Sequence, residues 1–269
     1  MAADFDQCRN MFPGGTPPLW LDQAMKPRAS CYDGFAVLHC GASKTPCYVA
    51  EVLDADRIKR AKGKPRANRF FADARLPASE RATLADYAGE HGIDRGHMAP
   101  AGDMDTDNAM EQCFTLANIV PQDSHNNEHQ WKGIESATRS YVTRATGKVY
   151  VITGPVFSRN HRSIGPGQVW VPDHLFKVVY DETTQRAWAH WIDNTADAKV
   201  SAPISYAALV HRLGVNLLPH ARIVDDASQT QAASLTQDQP GADKNDPSCH
   251  VGPQGGHYRI NHGKKRYGC

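Results

Sequence analysis

The stretch Asp94 to Pro100, DRGHMAP, restricts the fold more than any other part of the chain. It sets a carboxylate, a guanidinium and an imidazole within four consecutive residues, and such a cluster is costly to bury unless each group has a partner. The His-Met-Ala-Pro that ends it reads as extended chain, because the residue before a proline is pushed out of the α region. Gly96, between Arg95 and His97, permits a close backbone approach or a conformation closed to other residues. His97 is therefore expected on a short strand or turn, with Asp94 and Arg95 at its entrance. A charged surface turn would satisfy the same seven residues, and only the downstream sequence separates the two readings.

At 269 residues the chain can hold one large domain or two small ones, with ample core. Its 30 basic and 29 acidic residues nearly cancel, so affinity for a polyanion would have to come from local arrangement. No apolar run approaches the 18 or so residues of a membrane span. The opening MAADFDQCRN has neither the charged nor the apolar region of a signal peptide, and reads as a start placed on an already processed chain. Seven cysteines favour an exported protein, secreted or periplasmic. Cys40 and Cys47 flank GASKTP between the apolar runs Phe35 to Leu38 and Tyr48 to Leu53, and would face each other across a hairpin. Cys8 and Cys31 enclose a Pro/Gly-rich arm, and Cys249 and Cys269 bracket the C-terminal segment. Three bridges with a free, buried Cys113 is the preferred arrangement, although spacing does not fix connectivity. No Cys-x-x-Cys pair occurs, which argues against a zinc ribbon.

Four regions follow from the pattern: an arm over 1–32 anchored by Trp20 and Leu21, a main domain over 33–224, a polar linker over 225–248 and a small basic tail over 249–269. Within the main domain, Asp54 is placed to cap a short helix, and Ser79 to Ala88 reads as another. The loop GKPRANRFFADARL mixes arginines with Phe70 and Phe71, either to serve a phosphate backbone or to pin a phenylalanine in the core. Asp103, Asp105 and Asp107 alternate, but the Gly and Glu of a calcium loop are missing from the required offsets, so an EF-hand is rejected. A helix capped by Asp107 and a strand over Phe114 to Val120, ended by Pro121 and Gln122, fit better. Lys148 to Thr153, His174 to Tyr180 and Ala187 to Ile192 read as strands, and Pro203 to Leu213 as a helix. The sum is an α+β (mixed α/β) fold on a largely antiparallel central sheet.

The second informative stretch is HNNEHQWKGIESATRSYVTR, of helical length. Asn127, Trp131, Glu135 and Arg139 recur every four residues and would lie one above another on one side. A strand carrying an imidazole, a short connection and a helix carrying an amide oxygen form a ββα unit able to hold one hard cation against a phosphodiester. Mg²⁺ keeps several of its waters, so a single protein ligand suffices.

DRGHMAPAGD followed by NIVPQDSHNNEHQWKGIE resembles the DNA/RNA non-specific endonucleases, a family of His-Me finger (ββα-metal) nucleases. The likeness runs from about Asp33 to Pro219 and includes SKTPCYVAEVL, NRFFADARLP, YVITGPVF and VPDHLFKVVYD. It implies that His97 is the general base and Asn127 the ligand of Mg²⁺, with Mn²⁺ or another divalent cation as substitutes. Asp94 and Glu135 would position metal-bound waters. Arg95 and Arg139 would clamp phosphate, completed by an upstream arginine, Arg66 or Arg69. This chain has Asn126 where the family commonly has an apolar residue, which leaves Asn126 as the alternative ligand. His125 and His129 flank the amide and could line the cleft. The implied substrates are DNA and RNA, cut to 5′-phosphate ends without regard to sequence or sugar. The rival readings are a nucleic-acid-binding or uptake protein on the same scaffold and a nuclease toxin with an immunity partner. In the tail, Tyr258, Arg259, Tyr267 and Lys264 to Arg266 could add a nucleic-acid contact.

Overall fold

The hairpin expected between the two cysteines forms and seeds the main sheet. A computed structural model describes residues 4–224 and the short segments 250–251, 257–261 and 264–267. Strands β1 (Pro27–Cys31), β2 (Ala36–Cys40) and β3 (Thr45–Leu53) run antiparallel, with Leu38 opposite Tyr48 and a bulge after it. The last residues of the expected arm are thus a strand of the sheet. Leu21 is no anchor: it is 77% exposed, and Phe5, Cys8, Met11 and Phe12 are the buried residues, with Trp20 tilted against Tyr48 at 6.2 Å. Two disulfides are present among the described residues. Cys8–Cys31 ties the arm to the end of β1, and Cys40–Cys47 spans β2 and β3, with Cα separations of 5.7 and 5.2 Å. Cys113 is free and buried.

Helix α1 (Ala55–Ala61) starts where Asp54 accepts a hydrogen bond from the Arg57 backbone at 2.7 Å. The helix expected over Ser79 to Ala88 is replaced by two 3₁₀ turns, Ala78–Glu80 and Leu84–Tyr87. Asp86 explains the difference, because its carboxylate is committed to Thr83 and to the backbone of Gly167, and such side-chain bonds compete with helix. After β4 (Ile93–His97) comes α2 (Asp107–Gln112), capped by Thr106 rather than Asp107. Strand β5 (Ile119–Asp123) begins later than expected and contains Pro121 and Gln122 instead of ending before them. It pairs with β4 alone, so one of its edges is free and a proline is tolerated there.

The segment expected as one continuous helix from His125 opens with a π-helical turn, Asn126–Trp131, and continues as α3 (Lys132–Val142). Strands β6 (Val149–Val156), β7 (Ser163–Ile164), β8 (Val169–Trp170), β9 (His174–Asp181), β10 (Arg186–Asp193) and β11 (Ile204–Ser205) follow, then α4 (Tyr206–Leu213), capped by Ser205. The main sheet has seven strands in the order β1-β2-β3-β6-β9-β10-β11, all neighbours antiparallel. Its central strands are buried on both faces, which is why they read as apolar runs rather than clean alternation. One face packs Leu38, Tyr48, Ile152, Phe176 and Val178 against Phe5, Phe12 and Leu209. The other sends Val37, Val49 and Leu175 against Met98, Met104, Phe114, Trp131 and Ile134, and this second layer carries the DRGH segment. The architecture has the expected α+β class.

The chain divides into compact units at Met1–Val224 and Asp225–Cys269. In the second, β12 (His250–Val251), β13 (His257–Asn261) and β14 (Lys264–Tyr267) form an antiparallel sheet. The linker proposed over 225–248, the paired Cys249 and Cys269 and the tail side chains lie outside the described residues. Among the described residues no helix is long and apolar enough to cross a membrane.

Candidate active site

Pairing of β4 with β5 places Asp94 opposite Gln122 and His97 opposite Ile119. Arg95 and His97, two apart on β4, share the face that lines the cleft, where Arg95 is exposed and His97 is buried. The backbone beyond His97 is held by Asn118, fully buried. Its amide donates to the carbonyls of Ala99 and Cys113 and accepts from the Ala99 backbone, at 2.8 to 2.9 Å. Gly96 serves a different purpose from ligand approach. A Cβ there would overlap the side chain of Gln122, whose amide donates to Asn126 Oδ1 at 2.8 Å. The glycine thus makes room for the residue that fixes the start of the π turn.

That turn separates two neighbouring asparagines. Asn126 is fully buried and donates to the Asp193 carbonyl at 2.9 Å, so it anchors the turn to β10. Asn127 lines the cleft and donates from Nδ2 to Asp94 Oδ2 at 2.8 Å, while Ser124 Oγ donates to Asp94 Oδ1 at 2.9 Å. The i→i+5 pattern of a π turn shifts successive residues relative to an α-helix. Trp131 accordingly does not share the side of Asn127: it is 1% exposed and packs in the core beneath Lys177, whose ammonium lies 5.4 Å from the ring. Glu135 and Arg139 do line the cleft. Arg139 pairs with buried Asp103 at 3.1 Å, not with a solvated Glu135, so one of the alternating aspartates is a partner of the arginine.

The cleft encloses about 620 Å³ and brings together Arg66, Asp94, Arg95, His97, Asn127, Glu135 and Arg139. Arg69 is not among its lining residues, which distinguishes it from Arg66, and of the two flanking histidines His129 lines it and His125 does not. Phe70 and Phe114 form the wall behind His97, with ring centroids 5.5 and 4.9 Å from the imidazole. The Arg95 guanidinium lies 4.3 Å over Phe70 and that of Arg66 5.5 Å over Phe114, so the aromatic wall also supports both cations. Phe114, Asn118, Gln122 and Asp103 were not singled out as site residues by sequence reasoning. Only a pairing register would have revealed them.

His97 Nε2 is buried and has no hydrogen-bond partner. Burial, aided by Arg66 and Arg95, lowers its pKa to about 3, so the imidazole is neutral and able to accept a proton. Burial raises Glu135 to about 7, opposed by Lys177 and Arg139. No group of three or more His, Cys, Asp or Glu side chains able to hold a metal ion occurs among the described residues. The cleft offers the amide of Asn127 with the carboxylates of Asp94, Glu128 and Glu135, a small set of oxygen donors. That set fits a hard cation that retains most of its waters and does not fit one that demands a thiolate or imidazole cage.

Residues 21–216 match the family model described as DNA/RNA non-specific endonuclease. Nuclease C1 of Cunninghamella echinulata var. echinulata is 38% identical over 159 residues, 55% of this chain and 62% of that protein. Human mitochondrial endonuclease G is 35% identical over 176 residues, 61% and 56% of the two chains, and human mitochondrial nuclease EXOG is 37% identical over 169 residues, 56% and 43%. The matched regions therefore span roughly half the length of these curated relatives. A crystal structure of the EndoG/EndoGI complex shares the fold, with a TM-score of 0.66 at 23% identity, covering 79% of this chain and 90% of that one. The DRGH strand, the π turn with Asn127 and the sheet beneath them lie within the matched region, and the chain belongs to the DNA/RNA non-specific endonuclease family.

Proposed function

We propose that this protein is an endonuclease that hydrolyses phosphodiester bonds of DNA and RNA without selecting sequence or sugar, using Mg²⁺ or a similar divalent cation. The observation that carries the reading is His97, whose buried Nε2 is unpartnered and which lines a cleft where three arginines, three acidic side chains and Asn127 converge. A neutral imidazole is poised to take the proton of an attacking water, a step worth on the order of 10² to 10⁴ in rate. In the reaction a P–O bond forms to the water oxygen, one water proton passes to His97, the P–O3′ bond breaks, and the departing O3′ takes up a proton from solvent. The products are 5′-phosphate and 3′-hydroxyl ends.

Arg66, Arg95 and Arg139 bind the nonbridging oxygens, and a guanidinium can do so bidentately. Contacts of this kind position a backbone without reading bases, which is the source of the proposed low specificity. Asp94 orients the Asn127 amide, and its hydrogen bond from Ser124 holds it in place for that task. Asn127 would hold the cation, with Asp94 and Glu135 holding its waters, and the bound cation would supply charge neutralisation at the phosphate and at O3′. Two disulfides support an oxidising location, secreted or periplasmic.

Digestion of plasmid and of RNA with Mg²⁺, with EDTA, and with a folded His97→Ala variant tests the proposal. Cleavage should stop with EDTA and fall by about 10²-fold or more in the variant. A variant that cuts as fast as the parent would remove His97 from the base role.

A further inference from the structure

A second depression of about 490 Å³ opens beside the cleft and shares Arg66, Ala101, Gly102 and Arg139 with it. It runs between the loop after α1 and the outer face of α3. One wall carries Lys62 and Lys64 ahead of Arg66. The other carries the hydroxyls of Ser136, Ser140 and Thr143, spaced at helical intervals around Arg139; Thr143 donates to the Ser140 carbonyl at 3.0 Å and Ser136 accepts from Arg139 at 3.2 Å, so Ser136 and Ser140 keep donors for a ligand. Ile58, Ala61 and Met110 make an apolar floor, each less than a tenth exposed. The Lys62 side chain makes no hydrogen bond or ion pair among the described residues, while Lys64 is held by exposed Asp107 at 2.7 Å.

Cations on one side, hydroxyl donors on the other and an apolar base match one chemistry: a sugar-phosphate unit with its phosphate against the walls and its sugar on the floor. From Arg139 to Thr143 the helix rises about 6 Å, the scale of one nucleotide step along an extended strand. We infer that this groove is a subsite for the nucleotide next to the scissile phosphate, with Lys62 as the principal phosphate contact. The inference rests on the nuclease reading and adds to it a direction of travel for the substrate, from the catalytic cleft along α3.

Binding of a fluorescent single-stranded oligonucleotide of roughly 12 residues, within the range of site sizes for such strands, is measured by anisotropy in EDTA at several salt concentrations. Lys62→Ala should reduce the slope of log K against log salt by about 0.7, the value for one phosphate contact on a single strand. Ser140→Trp, at an exposed helix position, should fill the groove and raise KM for cleavage of the same oligonucleotide by about tenfold, the loss of one hydrogen bond to a charged group. The same variant should leave hydrolysis of a dinucleotide, too short to reach the groove, unchanged. An unaltered salt slope in Lys62→Ala overturns the subsite, as does an equal loss on both substrates in Ser140→Trp. If the parent protein cleaves neither substrate, the nuclease reading fails, and the salt slope measured in EDTA still decides whether the groove holds phosphate.

Discussion

Burial moves His97 and Glu135 in opposite directions because it disfavours whichever form is charged: the imidazole is kept neutral down to about pH 3, and the carboxyl stays protonated up to about 7. His97 is therefore neutral throughout the physiological range, at the cost of a weaker base than a solvated imidazole, and its own ionisation does not limit activity near neutrality. Glu135 does titrate there. A protonated carboxyl cannot serve a cation, so if Glu135 holds the waters of the proposed cation, binding displaces that proton at any pH below about 7. Mg²⁺ affinity should rise as pH increases from 6 to 8, by up to tenfold per unit below 7, and Glu135→Gln should abolish the dependence. Calorimetric titration at three pH values checks this, and a flat affinity in the parent protein would remove Glu135 from the cation's surroundings. The neighbouring asparagines show how much a single position decides. Asn126 spends its amide on Gln122 and β10, whereas Asn127 keeps its amide at the cleft against Asp94.

At the scale of elements, the ββα unit depends on a chain of fits rather than on helix propensity. Gly96 admits Gln122, Gln122 holds Asn126, and Asn126 anchors a π turn that sends Trp131 into the core while Asn127 and Glu135 remain at the cleft. The N-terminal arm is tied down in another way. Cys8–Cys31 joins residues 23 apart, a closure worth about 3 kcal/mol in the chain-entropy model. Replacing both cysteines by serine should lower the unfolding free energy by about that amount, read from the urea midpoint. The cleft lies on the opposite face of the sheet from Phe5 and Phe12, so cleavage by the folded variant should be preserved. An unchanged midpoint would show that the aromatic contacts of Phe5 and Phe12 with Tyr48 hold the arm without the bridge.

The whole molecule comprises a nuclease-family unit ending at Val224 and a C-terminal unit that begins at Asp225. The first unit has the complete seven-stranded sheet and cores on both of its faces, which is what independent folding requires. Truncation after Val224 should keep the fold and the turnover of short oligonucleotides. The basic run Lys264 to Arg266 lies in the removed part, so KM for long DNA should rise as phosphate contacts are lost. Equal KM values for long DNA before and after truncation would deny the tail a role in binding.

Residue chemistry and local pattern already carried the polar groups that line the cleft, because DRGH and the Asn127, Glu135 and Arg139 set are short-range features. The strand hairpin with its Cys40–Cys47 bridge and the central apolar strands were legible for the same reason: their signals lie within a few residues of each other. Sequence could not reveal the π turn, which is selected by Gln122 and the Asp193 carbonyl, groups brought to Asn126 only by strand pairing and by β10. Nor could it identify Asp103 as the partner of Arg139, choose Arg66 over Arg69, or show Phe114 behind His97, since each depends on contacts between segments far apart in the chain. The two 3₁₀ turns where a helix was expected have the same origin, a buried Asp86 held by a glycine 81 residues away. Sequence supplied the candidate reactive groups; tertiary structure, by burying His97 and partly burying Glu135 in the cleft wall, decided which of their protonation states the cleft contains.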